Sequence, residues 1–220
     1  MTQMEIPVLY RDEALLVCEK PVGVPSESPG LPDLVSDQEG FDVWPVHRLD
    51  QGTGGTVVLA RSQAACSALQ KLFQQDLVRK EYLAVVAGTP QEPAGCFEDL
   101  LFHDRKKNKS YIVSRERAGV KRAYCEFSVL GSVTDGDQAL TLIRVLLHTG
   151  RTHQIRVQFG SRGFPLVGDR RYGSRIKADA PALWACSVSF PHPFRADQSV
   201  SVSSVPPPVF PWSLFSVRSL

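Results

Sequence analysis

Apolar positions along the chain recur at two spacings, every second residue and every third or fourth, and they divide it into many short strands and few helices. Residues 14–19 (Ala-Leu-Leu-Val-Cys-Glu) form a short apolar run that Lys20-Pro21-Val22-Gly23 ends, which predicts a strand and then a turn. Residues 25–45 are rich in Pro, Gly, Ser and Asp and read as an ordered loop. Residues 55–61 read as a buried strand. Ser62 is placed to cap the following helix, where Cys66, Leu69, Leu72 and Phe73 recur on one face. Residues 80–88 predict another strand. Residues 122–133 alternate strictly, with Ala123, Cys125, Phe127 and Val129 on one face. A Thr134-Asp135-Gly136-Asp137 turn then leads into a more fully apolar strand over 139–147, so these two predict an antiparallel hairpin. Gly150 and Thr152 open a helix to about Ser161, with Thr152 as its N-cap. A late strand over 181–190 precedes a Pro-rich tail.

Strands outnumber helices and the clear pair is antiparallel, so the fold class expected is α+β, a mainly antiparallel sheet with flanking helices. The 220 residues show no internal repeat and are read as a single domain, 1–220. A chain of this length buries roughly 70% of its unfolded surface and folds without disulfides or metal.

Composition narrows the setting. At 43% hydrophobic and 22% charged the chain has an ordinary globular balance. Cys18, Cys66, Cys96, Cys125 and Cys186 are scattered with no CxxC pair, the usage of a reducing compartment rather than of a disulfide framework or a metal site. The first residues lack a basic-then-apolar leader pattern, and no apolar run approaches the ~20 residues that cross a bilayer. A cytoplasmic protein with no membrane partner is expected. Net charge is only +2, but residues 105–122 hold eight basic side chains against the single acid Glu116. Such a run is either a solvated hairpin or a hairpin that follows a phosphate backbone.

Three segments carry candidate chemistry. In His47-Arg48-Leu49-Asp50-Gln51-Gly52-Thr53-Gly54-Gly55, three glycines within four residues allow a sharp turn and a close ligand approach beside a carboxylate, although Asp50 could equally cap the turn. In His148-Thr149-Gly150-Arg151-Thr152-His153-Gln154-Ile155-Arg156, capping at Thr152 puts His153 and Arg156 three apart on one helix face. The free N–H groups of such a helix start suit an anion. In Lys80-Glu81-Tyr82-Leu83-Ala84-Val85-Val86, Tyr82 shares a strand face with Ala84, and packing with the hydroxyl at the rim is its simplest use.

Together, and in this order, the segments resemble the RluA family of pseudouridine synthases. His47-Arg48-Leu49-Asp50 with its Gly/Thr turn is similar to that family's signature. Residues 78–88 resemble its tyrosine-bearing strand, residues 149–173 its long C-terminal motif, and residues 181–193 its final strand. The resemblance implies the pseudouridine synthase fold, a mixed sheet with a central catalytic cleft. It also implies isomerisation of uridine within RNA, ribosomal or transfer, with no cofactor and no metal; a monomer is the default expected for this size and charge. The family's catalytic aspartate falls on Asp50, its active-site tyrosine on Tyr82 and the arginine facing the aspartate on Arg156. Tyr82 would serve as proton carrier or stacking platform. Substrate contacts are expected from His47, Arg48, Thr53, Arg151, His153, Lys106, Lys107 and Lys109, with Arg48 either filling the gap left by a flipped nucleotide or held in a salt bridge. Two positions depart from the family: Gly54 replaces a usual Ser, and Trp184 a common His. The resemblance covers roughly Val8 to Pro193, and the 46 residues before His47 already match the catalytic domain, so the separate RNA-binding module that starts many members is expected to be absent.

A silent RNA-binding protein is disfavoured because Asp50, Tyr82 and Arg156 are all present. A glycoside hydrolase needs two carboxylates; the single candidate partner, Asp169 in Gly168-Asp169-Arg170-Arg171-Tyr172, suits a turn or an ion pair better.

Overall fold

A computed structural model describes residues 4–217. Along the chain run β1 (Val8–Arg11), β2 (Leu15–Lys20), α1 (Leu31–Glu39), β3 (Trp44–Pro45), β4 (Gly54–Ala60), α2 (Gln63–Gln74) and β5 (Arg79–Ala87). They are followed by β6 (Ala94–Asp104), β7 (Lys109–Val113), β8 (Val120–Asp135), β9 (Gln138–Leu147), α3 (Gln154–Gly160), β10 (Leu183–Pro191) and β11 (Ser199–Ser203). The residues group into two compact units, 1–80 with 184–206, and 81–183 with 207–220.

In the first unit β4 is buried along its whole length because strands cover both of its edges. β2 pairs antiparallel from Leu15↔Ala60 to Lys20↔Gly55. On the other edge β10 pairs parallel at Trp184↔Gly54, and β3 antiparallel at Trp44↔Ala60. A strand buried on both faces reads as a continuous apolar run, as Gly54–Ala60 does. α2 lies over this layer, its N-terminus capped by Ser62 Oγ accepting from the Ala65 N–H at 3.1 Å. Leu69 of α2 packs into a core with Leu15, Val17, Val58, Val188, Phe190, Val200 and Val202.

Residues 25–45 are not a loop throughout. Leu31–Glu39 forms α1, with Leu31, Pro32 and Val35 buried. The Asp33 carboxylate accepts from the Gly30 N–H at 2.7 Å, and Gly40 ends the helix at φ 76°. Proline in the first turn and glycine just past the end are helix punctuation; with so few apolar residues, no 3.6-residue period was visible. The tail likewise contains β11, a Ser-Val alternation that lays Val200 and Val202 into the core.

The second unit holds five antiparallel strands in the order β5-β9-β8-β6-β7. The β8–β9 hairpin appears where alternation predicts it, with a bulge between Val129 and Gly131. β6 and β7 carry too few apolar residues in too mixed a pattern to be seen in sequence. The basic stretch 105–122 is therefore not one hairpin. Arg105–Asn108 make the β6–β7 turn, Lys109 starts β7, Arg115 and Arg117 lie in the connection to β8, and Lys121 and Arg122 belong to β8. Phe97, Phe127 and Phe159 pack ring to ring under α3, at centroid distances of 4.8–5.6 Å.

Thr152 does not cap α3. The N-cap is His153, in the left-handed conformation at φ 57°, and the Thr152 carbonyl is taken by Ser110 Oγ. The Gln154 side chain does the local bracing, its Oε1 accepting from Thr149 Oγ1 (2.7 Å) and the Arg151 N–H (3.1 Å). Within each unit the strand pairings are antiparallel apart from β4 with β10, and the class is α+β with a mixed sheet, as expected.

Candidate active site

Asp50 sits on a turn that is clamped on both sides. Its carbonyl accepts the Thr53 N–H at 2.9 Å, closing a four-residue turn. Before it, the buried Ser26 hydroxyl lies 3.0 Å from the Leu49 N–H and 2.9 Å from the Leu49 carbonyl, accepting from one and donating to the other. After it, the Gln51 carbonyl accepts from the Gly23 N–H, and the Gln51 amide donates to the Gly23 carbonyl, both at 2.9 Å. Lys20 is fully buried, and its Nζ donates to the carbonyls of Pro21 (2.9 Å), Val24 (2.7 Å) and Gln51 (3.3 Å). Three carbonyl dipoles replace water around this ammonium. Burial pushes Lys20 down to about 8, against the opposing pull of the Asp50 charge. Lys20, Ser26 and Gln51 were not singled out in the sequence; a Lys-Pro pair at a strand end was the available signal.

The two departures, Gly54 and Trp184, are one feature. They pair across β4 and β10, and a Cβ on Gly54 would stand 2.2 Å from Trp184 Cζ3. The indole is fixed by its N–H to Ser204 Oγ at 3.0 Å, and that hydroxyl donates to Glu19. Trp184 therefore leaves room only for glycine. Gly54→Ser should cost about 1–3 kcal/mol by overpacking. Most of that should return in Gly54→Ser/Trp184→His, read by thermal unfolding; strictly additive losses would mean the two side chains do not compete.

His47 stacks on Phe73 at 4.6 Å, and its Nε2 accepts from the Val58 N–H at 3.0 Å. Burial and the Lys80 ammonium hold it down to about 3, so the ring is neutral with its proton on Nδ1. Arg48 is exposed and pairs with exposed Glu27 at 2.9 Å, a bridge worth at most about 1 kcal/mol. Thr53 is buried beneath the turn.

The remaining candidates lie in the second unit. Tyr82 is buried on β5 opposite Val145. Arg156, on α3, forms a side-on bidentate pair with Asp169: Nε to Oδ2 at 2.6 Å and Nη2 to Oδ1 at 3.0 Å. Both are nearly sealed from solvent, at 8% and 1% exposure. The Arg156 guanidinium also lies 5.3 Å from the Tyr172 ring centre. His153 reaches the same residue, its Nδ1 2.9 Å from the Tyr172 hydroxyl, which accepts from the Ser110 N–H at 2.8 Å. His153 and Arg156 thus converge on Tyr172, although His153 precedes the helix. Arg151 Nε donates to the Arg122 carbonyl at 2.9 Å. Lys106 and Lys107 are exposed on the β6–β7 turn, which Asp104 closes by accepting both of their N–H groups. Lys109 is half-buried beside Tyr172. Among the described residues no group of three His, Cys, Asp or Glu could hold a metal ion.

A family model described as RNA pseudouridylate synthase matches residues 14–161. The chain belongs to the RluA family of RNA pseudouridine synthases. An RNA pseudouridine synthase of Aquifex aeolicus is 32% identical over 89% of this chain and 68% of its own length. A dual-specificity RNA pseudouridine synthase RluA of Vibrio parahaemolyticus is 32% identical over 84% of this chain and 78% of its own. In fold the synthase superposes on human RNA pseudouridylate synthase domain containing 1 with a TM-score of 0.80, at 25% identity over 97% of this chain and 87% of the human one. No described helix of the synthase is long and apolar enough to cross a membrane. Asp169, the sole second carboxylate considered, is committed to the Arg156 ion pair, as its motif suggested.

Proposed function

We propose that the synthase isomerises particular uridines of ribosomal or transfer RNA, with Asp50 as catalytic carboxylate and the target nucleotide turned out of its stack. The observation that carries this reading is the clamped turn, in which Ser26, Gln51 and Lys20 hold the backbone on both sides of Asp50. A carboxylate on so rigid a base can meet the sugar in one geometry. In the reaction the bond from the sugar to uracil N1 breaks, the base turns, C5 bonds to the same sugar carbon and gives up its proton to solvent, and N1 takes up a proton in its place. Asp50 acts at the sugar as nucleophile or base. Tyr82 stacks on the uracil or carries a proton, and Arg156, oriented by Asp169, supplies positive charge for a carboxylate. Arg48 exchanges its weak bridge to Glu27 for the space left by the extruded base; extrusion costs a few kcal/mol, which new contacts offset. Thr53, Arg151 and His153 each contribute to substrate binding, and His47 braces the turn through its bond to the Val58 N–H. The chain, 1–220, works as one catalytic domain, monomeric, cytoplasmic and free of metal.

Unmodified tRNA and rRNA transcripts tritiated at uridine C5 test this reading. Release from one class names the substrate, and release from neither would sink the proposal. Lys106, Lys107 and Lys109 contact backbone phosphates on this reading. Replacing all three by Gln should weaken RNA binding and lower the slope of log affinity against log salt by up to about 2–3. An unaltered slope would return the turn to a solvated surface.

A further inference from the structure

The Gly168–Tyr172 motif is absorbed only in part by the pairing of Asp169 with Arg156. The residues after Asp169 face a groove of about 600 Å³ that runs between β7, α3 and the turn at Arg170–Gly173. Its lining includes Lys109, Tyr111, Ile112, Arg170 and Arg171, three cations with no Asp or Glu among the lining residues. The charges are placed. Arg171 Nη1 donates to the carbonyls of Lys107 (2.8 Å) and Asn108 (3.0 Å), which engage one nitrogen of a five-donor guanidinium and hold it at the lip. Lys109 Nζ lies 5.6 and 5.5 Å from the ring centres of Tyr111 and Tyr172. Tyr172 is itself pinned, its hydroxyl accepting from the Ser110 N–H. β7 ends the strand order of its unit, so the groove follows a sheet edge.

We propose that this groove is a second nucleotide subsite, binding a single-stranded residue of the substrate RNA that flanks the target. Its base lies against Tyr111, and its phosphate is held by Lys109, Arg170 and Arg171. An aromatic face beside fixed cations is the chemistry that holds unpaired nucleotides without reading their sequence. The volume lies within the range of small-ligand sites. The groove adjoins the basic β6–β7 turn through Arg171, so one strand of RNA can run across both. The proposal rests on the reading of that turn as a phosphate surface, and it adds Tyr111, Arg170 and Arg171 to the RNA contacts.

The test uses the full chain and a transcript that the wild type modifies. In Arg170→Gln/Arg171→Gln the KM for RNA should rise about tenfold with kcat within about twofold, and the salt slope should fall by up to about 0.7 for the one single-stranded phosphate these arginines hold. Tyr111→Ala, which removes no charge, should raise KM at least fivefold with the slope unchanged. Trimming the RNA on either side of the target should reach a length at which wild type and variants become equal. Unchanged KM in both variants, or a loss confined to kcat, would overturn the subsite; RNA affinity that ignores the groove would leave it to a protein strand adding to β7. If the wild type turns over no transcript, the proposed reaction fails separately. The variants are then compared by direct RNA binding, where equal affinities overturn the subsite.

Discussion

Asp50→Ala should abolish pseudouridine formation, lowering kcat by at least about a thousandfold, while RNA affinity stays within about twofold of wild type. The split follows from where each energy arises. On the proposed reading, binding comes from phosphate contacts spread over many cations, such as those on the β6–β7 turn, and one carboxylate adds little to it. Turnover depends on a group that interacts with the sugar more strongly in the transition state than in the ground state. Asp50→Asn is the sharper variant. It keeps the shape of the side chain and the Thr53 N–H to Asp50 carbonyl bond that closes the turn, and removes only the charge. Its loss should match that of alanine. Tritium release under single-turnover conditions, with RNA binding measured in parallel, checks both. An asparagine variant that retains a tenth of wild-type activity would mean that Asp50 shapes the turn and another group does the chemistry.

Asp169→Ala should be the most destabilising single change in the second unit. It removes both acceptors of the Arg156 Nε and Nη2 pair in a place where water cannot substitute. Breaking one side of a buried ion pair costs about 3–5 kcal/mol. At about 2–4 °C per kcal/mol for a chain of this size, that lowers Tm by roughly 6–20 °C. Replacing the pair together, as Arg156→Met/Asp169→Leu, should recover most of the stability, because no charge is then left buried alone. That double variant should nevertheless be inactive. Stable but inactive protein would separate Arg156 as a group acting on the reaction from Arg156 as a strut. A double variant that regains turnover along with stability would reduce the arginine to packing. Differential scanning calorimetry and tritium release on the same preparations decide it.

How much of this was legible depended on whether an element writes a clear apolar pattern into its own residues. The β8–β9 hairpin was readable because strict alternation over 122–133, a Thr-Asp-Gly-Asp turn and an apolar return lie side by side. β4 was readable because burial on both faces writes itself as an unbroken apolar run. β6, β7 and α1 were not, since each buries only a few residues in no clear period, although β6 and β7 pair across a short turn. Thr152 was misread as a cap for a different reason: the Ser110 hydroxyl, 42 residues away, occupies its carbonyl and the helix begins after His153.

The candidate site divides in the same way. The resemblance carried by three local motifs pointed to Asp50, Tyr82 and Arg156 as candidates, and with them to the family and its reaction; such motifs are short stretches of chain and can be read without the fold. Sequence also paired Asp169 with a turn or an ion-pair role. What only the tertiary structure decided is who supports whom. Ser26 and Lys20 reach the Asp50 turn across a loop, Tyr172 joins His153 to Ser110, Asp169 orients Arg156, and Trp184 on β10 dictates the glycine on β4. Each is a contact between residues distant in sequence, whose strength comes from burial and from a geometry set when the strands pair. A side chain's chemistry travels with its residue type; its partner is chosen by the fold.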